Sequence, residues 1–179
     1  MTPKTPILND HKQNCGSASA ESKPDCIMPS NSNFAEGKAE YPPMHTTEHI
    51  LNQTMVRMFG CGRSRNAHIE RKKSKCDYTL PQEPTAEQIA EIENRVNEVI
   101  SQNLPVTTEF VSRENVPACV DLSKLPADAS GTLRIVRIGD YDTCACIGTH
   151  VSSTSEIGTF RIISHSWENG TLRLRFKLS

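Results

Sequence analysis

The stretch GTFRIISHSWENGTLRLRFKL, residues 158–178, decides the fold, because two runs rich in apolar residues flank the turn residues ENG. An Asn-Gly pair between two such runs favours a tight turn that joins antiparallel strands. Upstream, PVTTEFV (105–111) and TLRIVRIG (132–139) are also typical of strands, and the basic segment 63–80 ends in CDYTL, a further strand or hairpin. Together these patterns predict an antiparallel β-sheet.

Two other segments carry apolar residues at helical spacing. In residues 45–59, Leu51 and other apolar residues lie on one side of a helix that Gly60 is placed to end. A second helix is predicted in TAEQIAEIENRVNEVISQN (85–103), where Thr85 is a favourable residue to begin it. With the strands, these segments indicate an α+β fold in which an antiparallel β-sheet packs against two main helices.

The composition of the 179-residue chain limits its function. A net charge of −1 and a hydrophobic content of 36% exclude a membrane protein and a uniformly basic nucleic-acid binder, so a polyanionic partner must meet a local patch. Seven irregularly spaced cysteines favour a reducing compartment, and we expect a cytoplasmic protein. No apolar run approaches the roughly 20 residues that span a bilayer, so no membrane partner is expected. The oligomeric state is left open.

The first 40 residues differ in composition from the rest of the chain. They are rich in Ser, Asn, Pro, Lys and Glu, and their few apolar residues show no period. We predict a disordered N-terminal tail over residues 1–40 and one domain over residues 41–179. A mitochondrial transit peptide is the alternative, but the tail lacks Arg and contains acidic residues such as Asp10 and Glu21.

Two pairs of candidate metal ligands share the same spacing. His45 and His49 lie one turn apart on the first predicted helix, and Cys146 and His150 are four residues apart in the segment CACIGTH. Three imidazoles and one thiolate are an ordinary zinc ligand set. Since neither pair alone can surround a tetrahedral ion, folding would assemble a zinc site between the helix and a sheet-borne loop. Each pair taken alone is also compatible with ordinary structural histidines.

These motifs resemble the editing-domain family shared by alanyl- and threonyl-tRNA synthetases, and above all its free-standing alanyl-tRNA editing proteins. The resemblance covers residues 43–178 and is carried by HTTEHILNQTM (45–55) and by CIGTHVSSTSEIGTFRI (146–162). Because no aminoacylation core fits in the remaining residues, we expect an editor that acts in trans. The resemblance implies a zinc-dependent hydrolase, which removes a wrongly attached amino acid, typically serine or glycine, from the terminal ribose of tRNA.

The same helix and loop offer further candidates for catalysis and substrate binding. Glu48 is placed to act as a base or to orient a ligand, and Thr46 is placed to bind a substrate hydroxyl. The candidates for lining an amino-acid pocket are Asn52, Gln53, Thr149 and Thr154. The alternative for each is a structural role, as a solvated carboxylate, a helix surface residue or a turn residue.

Residues 63–75 hold a concentrated group of cations against one acid, Glu70. Such a group suits the phosphates of a tRNA acceptor end that carries an amino acid. The candidate tRNA-binding residues are Arg63, Arg65, Arg71, Lys72, Lys73 and Lys75. A solvated basic loop is the alternative.

The chain also departs from the family pattern. The loop GCGRSRNAHIERKKSK replaces a glutamine-and-glycine segment, and Ile147 stands where glycine is common, which leaves the amino acid removed and the activity itself open. Two other classes therefore remain open. One is a module that keeps zinc for folding and binds tRNA without hydrolysis. The other is a zinc peptidase, since HTTEH also fits His-x-x-Glu-His.

Overall fold

A computed structural model describes residues 41–118, 120 and 131–179. The tail predicted for residues 1–40 lies outside the described residues. The helices and strands, in chain order, are α1 (Pro42–Phe59), β1 (Asn66–His68), β2 (Ser74–Thr79), α2 (Ala86–Ser101), β3 (Val106–Ser112), β4 (Thr132–Ile138), β5 (Asp142–Ala145), β6 (Phe160–Glu168) and β7 (Thr171–Leu178). Short 3₁₀ turns occupy Arg113–Asn115 and Thr154–Glu156.

The strands form two antiparallel sheets, so the predicted α+β class is confirmed. One sheet has four strands in the order β1-β2-β7-β6, and the other has three in the order β3-β4-β5. The division into two sheets was not predicted, because local patterns identify strands but not the sheet that each strand joins. Strand β5 was also missed, since its four residues DTCA carry no apolar pattern.

The hairpin predicted for residues 158–178 forms from β6 and β7. Asn169 and Gly170 both have positive φ angles, 50° and 77°, which is the backbone that a two-residue hairpin turn between twisted strands requires. β6 and β7 then pair along their length, from Phe160 opposite Leu178 to Glu168 opposite Thr171. This hairpin supplies half of the four-stranded sheet.

Both helices end or begin where the sequence predicts. Gly60 ends α1 in the left-handed conformation, with φ of 62°, and its N–H donates to the carbonyl of Val56. Thr85 begins α2 with a capping box, in which Thr85 and Gln88 each satisfy the other's backbone N–H. Between its ends, the first helix buries residues from Met44 to Met55.

The main core lies between the two helices and one face of the four-stranded sheet. Both helices and the sheet contribute fully buried side chains. These include Leu51 and Met55 of α1, Ile92 of α2, and Leu174 and Phe176 of β7. A smaller cluster forms around Leu133 and Ile135 of β4, in the three-stranded sheet. In the described part of the chain, no helix has the length and apolar content needed to cross a membrane.

Candidate metal centre and adjoining cavity

The four predicted metal ligands meet in the structure. Donor atoms of His45, His49, Cys146 and His150 all lie within 4.8 Å of one another. The sulfur of Cys146 is 3.5 Å from Nε2 of His45 and 3.5 Å from Nε2 of His150. α1 supplies one pair, and the loop that leaves β5 supplies the other, so the fold brings together residues about a hundred positions apart.

The spacing of these donors fits a tetrahedral zinc ion. With zinc–sulfur and zinc–nitrogen bonds of about 2.3 and 2.0 Å, sulfur and nitrogen ligands of one ion lie about 3.5 Å apart. The observed separations from Cys146 match that edge length. The chemistry and the geometry of this donor set therefore both fit zinc.

Thr46 holds His150 in position. Its hydroxyl donates to the carbonyl of Pro42 at 3.0 Å, and it lies 3.1 Å from Nδ1 of His150. Because the hydroxyl hydrogen goes to Pro42, the network places a hydrogen on Nδ1 of His150 and makes Nε2 the nitrogen that can bind a metal. Thr46 is fully buried, so the structure gives it a positioning role in place of the contact with substrate that the sequence suggested.

Replacing Thr46 by valine should weaken zinc binding by about 10- to 100-fold, because His150 loses the partner that fixes its ring and tautomer. The affinity is measured by titration against a competing chelator. Thr46→Ser is the matched control, since it keeps the hydroxyl and should bind zinc nearly as tightly as the wild type. Equal zinc affinities for the valine variant and the wild type would show that Thr46 does not position His150 for metal binding.

Hydrogen bonds from the guanidinium of Arg134 and from a backbone N–H hold the loop of the second ligand pair. Arg134 of β4 donates to the carbonyls of Cys146 and Gly148, at 2.8 and 2.7 Å. On the far side of His150, the N–H of Val151 donates to the hydroxyl of Thr46 at 3.3 Å. These charged and neutral hydrogen bonds fix the loop at both ends, so the two ligands it carries face α1.

A second group of donors adjoins the first and shares His49 with it. Nδ1 of His49 lies 3.0 Å from the sulfur of Cys144 and 3.6 Å from a carboxylate oxygen of Asp142. Burial holds the pKa of His49 well below its usual value, and the charges of His150 and Arg63 lower it further. The imidazole is therefore neutral, as metal binding requires. The sequence signal for Cys144 was the Cys-x-Cys spacing, which places it two residues before Cys146.

Arg63 is committed to Asp142. Its guanidinium donates to both carboxylate oxygens, at 2.7 and 2.9 Å, and the Asp142 side chain is 1% exposed. Although burial opposes the charge of Arg63, the hydrogen bonds and the charge of Asp142 more than offset it and raise the pKa of Arg63. This placement corrects the expectation that Arg63 binds tRNA phosphates, because the buried carboxylate of Asp142 neutralises its charge in a bidentate ion pair.

Removing the carboxylate of Asp142 should lower the free energy of unfolding by about 3 kcal/mol, since Asp142→Ala leaves the half-buried guanidinium of Arg63 unpaired. Urea unfolding of zinc-saturated protein measures the change, with the zinc content checked in parallel. Glu91→Ala is the matched control, because its pair with Arg95 is 45–46% exposed and should contribute less than about 1 kcal/mol. Similar losses in the two variants would contradict the role given to Asp142.

Asn52 holds Glu48 toward the metal ligands. Its Nδ2 donates to Oε1 of Glu48 at 3.0 Å, while its Oδ1 accepts from the N–H of Ser64 and the hydroxyl of Tyr78, at 2.9 and 3.0 Å. The other carboxylate oxygen of Glu48 is 3.8 Å from Nε2 of His45. Asn52 is only 4% exposed, so it orients Glu48 in addition to forming part of the cavity wall.

A cavity of about 620 Å³ opens beside this constellation. Glu48, His49, Gln53 and Arg63 are among the side chains that line it, as is Cys146. Volumes of this order suit ligands the size of a nucleotide or an amino-acid ester. The cavity therefore places a candidate base, candidate metal ligands and a substrate-sized space together.

Two predicted pocket residues lie elsewhere. Thr154 is fully buried, donates its hydroxyl to the carbonyl of Ile100 at 3.0 Å and accepts from the N–H of Leu104 at 2.9 Å. It therefore secures the end of α2 and has no access to the cavity, which corrects the expectation for this residue. Thr149 is exposed on the loop between Cys146 and His150 and is not part of the cavity lining.

The remaining predicted tRNA-binding residues follow the β1–β2 hairpin. Arg65 is exposed just before β1, and Arg71, Lys72 and Lys73 are exposed in the turn between the strands. Lys75 is half-buried on β2. The hairpin thus places most of the basic residues of this segment at the β1 edge of the four-stranded sheet.

Comparison with known proteins identifies the family. Residues 133–174 match the model of the threonyl and alanyl tRNA synthetase second additional domain. The chain is similar to the alanine–tRNA ligase of Fervidobacterium nodosum, with 34% identity over 123 residues, 68% of this chain and 14% of the relative. The alanine–tRNA ligase of Neisseria gonorrhoeae is 33% identical over 67% of this chain and 14% of its own length. That of Methylacidiphilum infernorum is 37% identical over 66% of this chain and 13% of its own.

The chain, whose antiparallel sheets and two helices bring a His-Cys donor set together between α1 and the loop after β5, is thus similar to a class of tRNA synthetases. Within that class the chain belongs to the editing-domain family of the alanyl and threonyl enzymes, as its motifs predicted. It spans about 14% of the length of the curated relatives it matches.

Proposed function

We propose that this protein is a zinc-dependent hydrolase that deacylates mischarged tRNA in the cytoplasm, and that it removes serine or glycine from tRNA for alanine. The observation that carries the proposal is the convergence of His45, His49, Cys146 and His150 beside a cavity that Glu48 and three of these residues line. The membership of the chain in the editing-domain family supports the same reaction.

The reaction requires a nucleophilic water, a stabilised oxyanion and a held ester. Zinc bound to the four ligands would supply Lewis-acid polarisation at the ester. Glu48 takes a proton from the attacking water and returns it to the ribose oxygen that leaves, which is general base and then general acid catalysis. Asn52 keeps the carboxylate of Glu48 in place through its 3.0 Å hydrogen bond, so the carboxylate does not have to change its position before it takes the proton.

The cavity supports binding of the esterified amino acid next to Glu48. Gln53 offers an amide donor and acceptor on the same helix. Arg63 and Asp142, paired with each other, form a polar wall opposite that helix. A small polar residue such as serine suits this lining better than a large apolar one, because polar groups of the wall remain hydrogen-bonded in its presence.

A non-catalytic zinc module that binds tRNA is the second candidate function. The observation that favours it is the ligand count, since four protein ligands close a tetrahedral site and are typical of structural zinc. Hydrolysis through the metal would need one ligand to loosen or the coordination to expand. No glutamate joins the four donors as a metal ligand in the described part of the chain, which disfavours the peptidase class.

Release of labelled amino acid from tRNA for alanine tests the proposal. Zinc-saturated full-length protein is incubated with the tRNA charged with serine, glycine or alanine, and the rate above spontaneous hydrolysis is measured. We expect rapid loss of serine or glycine and slow loss of alanine. Normal zinc content with no release from any of the three charged tRNAs would favour the non-catalytic module.

A further inference from the structure

The four-stranded sheet has a second face, which points away from the helices. Along β7, Leu172, Leu174 and Phe176 are fully buried against the core, so the intervening residues face the other way. These intervening residues are Arg173, Arg175 and Lys177. Every residue that β7 presents on this face between Leu172 and Leu178 is therefore a cation.

Strand register brings cations of neighbouring strands together on that face. Lys75 of β2 lies opposite Arg175, and Arg161 of β6 lies opposite Lys177. Paired residues on adjacent antiparallel strands are about 5 Å apart, and alternate residues of one strand are about 7 Å apart. The β1–β2 turn, which holds Arg71, Lys72 and Lys73, lies at the same end of the sheet, since it leads directly into Ser74 opposite Phe176.

Some of these cations are neutralised and others are not. Arg173 donates to both oxygens of Asp77, each at 2.7 Å, and Arg161 is paired with Glu93 at 2.8 Å. Lys75, Arg175 and Lys177 form no salt bridge with any carboxylate of the described residues. In a chain of net charge −1, this concentration of unneutralised charge is a local feature of one face.

We propose that this basic sheet face, made of Lys75, Arg175 and Lys177, binds the phosphate backbone of the RNA duplex next to the end that enters the cavity. The choice of RNA as the partner rests on the proposed function. Cations about 5 to 7 Å apart on a rigid sheet can contact several phosphates at once, whatever the base sequence. Arg175 and Lys177 lie outside the basic loop that the sequence singled out.

The hairpin connects this face to the cavity. Arg63 lines the cavity, and two residues later the exposed Arg65 donates its N–H to the carbonyl of Asp77, continuing the ladder with β2. The edge of the sheet therefore begins where the cavity wall ends. A single-stranded end that leaves a duplex on the sheet face passes over β1 and Arg65 into the cavity.

Salt-dependent binding of uncharged tRNA tests the proposal directly. Fluorescence anisotropy with zinc-loaded full-length protein is measured over about 50 to 200 mM salt, for the wild type and for a Lys75→Gln, Arg175→Gln, Lys177→Gln variant. We expect affinity to fall on the order of a hundredfold near 0.1 M salt, and the slope of log K against log salt to fall by about 2 to 3. The matched control is Arg95→Gln, Arg113→Gln, Arg137→Gln, which removes the same charge elsewhere and should change affinity by less than about threefold.

Several outcomes would overturn the assignment. Equal losses of tRNA affinity in the two triple variants would mean that the net charge of the protein, and not a specific site, determines binding. Binding of the wild type to phosphatidylserine vesicles, with no binding to tRNA, would assign the face to a membrane surface.

The deacylation assay separates this proposal from the proposed function. If the Lys75→Gln, Arg175→Gln, Lys177→Gln variant releases serine with an unchanged KM, the proposed RNA-binding role of the face is refuted and the proposed hydrolase activity stands. If tRNA binding depends on these three cations but no amino acid is released, the RNA-binding role of the face is supported and the proposed hydrolase activity is refuted.

Discussion

Cys146→Ala should reduce the zinc content from one ion per chain to nearly none after dialysis against a weak chelator. The thiolate is the only soft, anionic donor among the four converging ligands, and the three imidazoles that remain cannot close a tetrahedral site. Since the ligands meet only in the folded chain, the loss should also lower the thermal midpoint of unfolding. Zinc is quantified by mass spectrometry of the digested protein, and unfolding is followed by circular dichroism.

Two other cysteines make this experiment specific. Cys61→Ala is the matched control, because Cys61 lines the same cavity but lies outside the ligand group, and this variant should keep its zinc. Cys144 provides the sharper comparison, since it forms a second donor group with His49 and Asp142. If Cys146→Ala keeps a full ion and loses it only when Cys144 is also replaced, the metal belongs to that second group, and the ligand assignment is wrong.

Glu48→Gln should lower kcat for deacylation by about 10²- to 10⁴-fold while zinc content stays at one per chain. Glutamine has the shape of glutamate and can still accept the hydrogen bond from Asn52, but it cannot take a proton from water. The change therefore removes the chemistry of the carboxylate and keeps its packing. Single-turnover rates with serine-charged tRNA measure the effect on the chemical step without interference from product release.

Glu91→Gln is the control for Glu48, since it makes the same change on an exposed position of α2. Its rate should equal that of the wild type. A Glu48→Gln variant with full zinc and wild-type single-turnover rate would show that another group, or the metal site alone, activates the water. A variant that loses zinc would instead make Glu48 a support of the ligand His45, from which its Oε2 lies 3.8 Å away.

The grouping of the candidate metal ligands could be predicted from the sequence, because their spacing limits where each pair can lie. Residues four apart on a helix share one face, and His45 and His49 are a pair of that kind. The ends of the helices followed from equally local chemistry, at Gly60 and Thr85. In each case the decisive interaction involves residues within about one turn of each other.

The roles of several polar residues could not be predicted, because a side chain's role depends on what tertiary structure places around it. Thr46, Asn52 and Thr154 all suggested substrate contacts, yet the first two position other site residues and the third caps a helix. The Arg63–Asp142 pair joins residues 79 positions apart, and β5, which carries Asp142, gave no signal. Pairings of this kind depend on the register between distant elements, which no local pattern contains.

The candidate ligands of the metal centre come from distant parts of the chain, with His45 and Cys146 separated by 101 positions. An ion shared by these two residues would act on the unfolded chain as a long-range cross-link does. Closing a loop of about this length by a covalent bridge restricts the unfolded chain by roughly 4 to 5 kcal/mol in the chain-entropy model. A zinc ion bound at this position would therefore also cross-link the first helix to the loop after β5, and its removal would lower the stability of the fold together with any activity that depends on the ion.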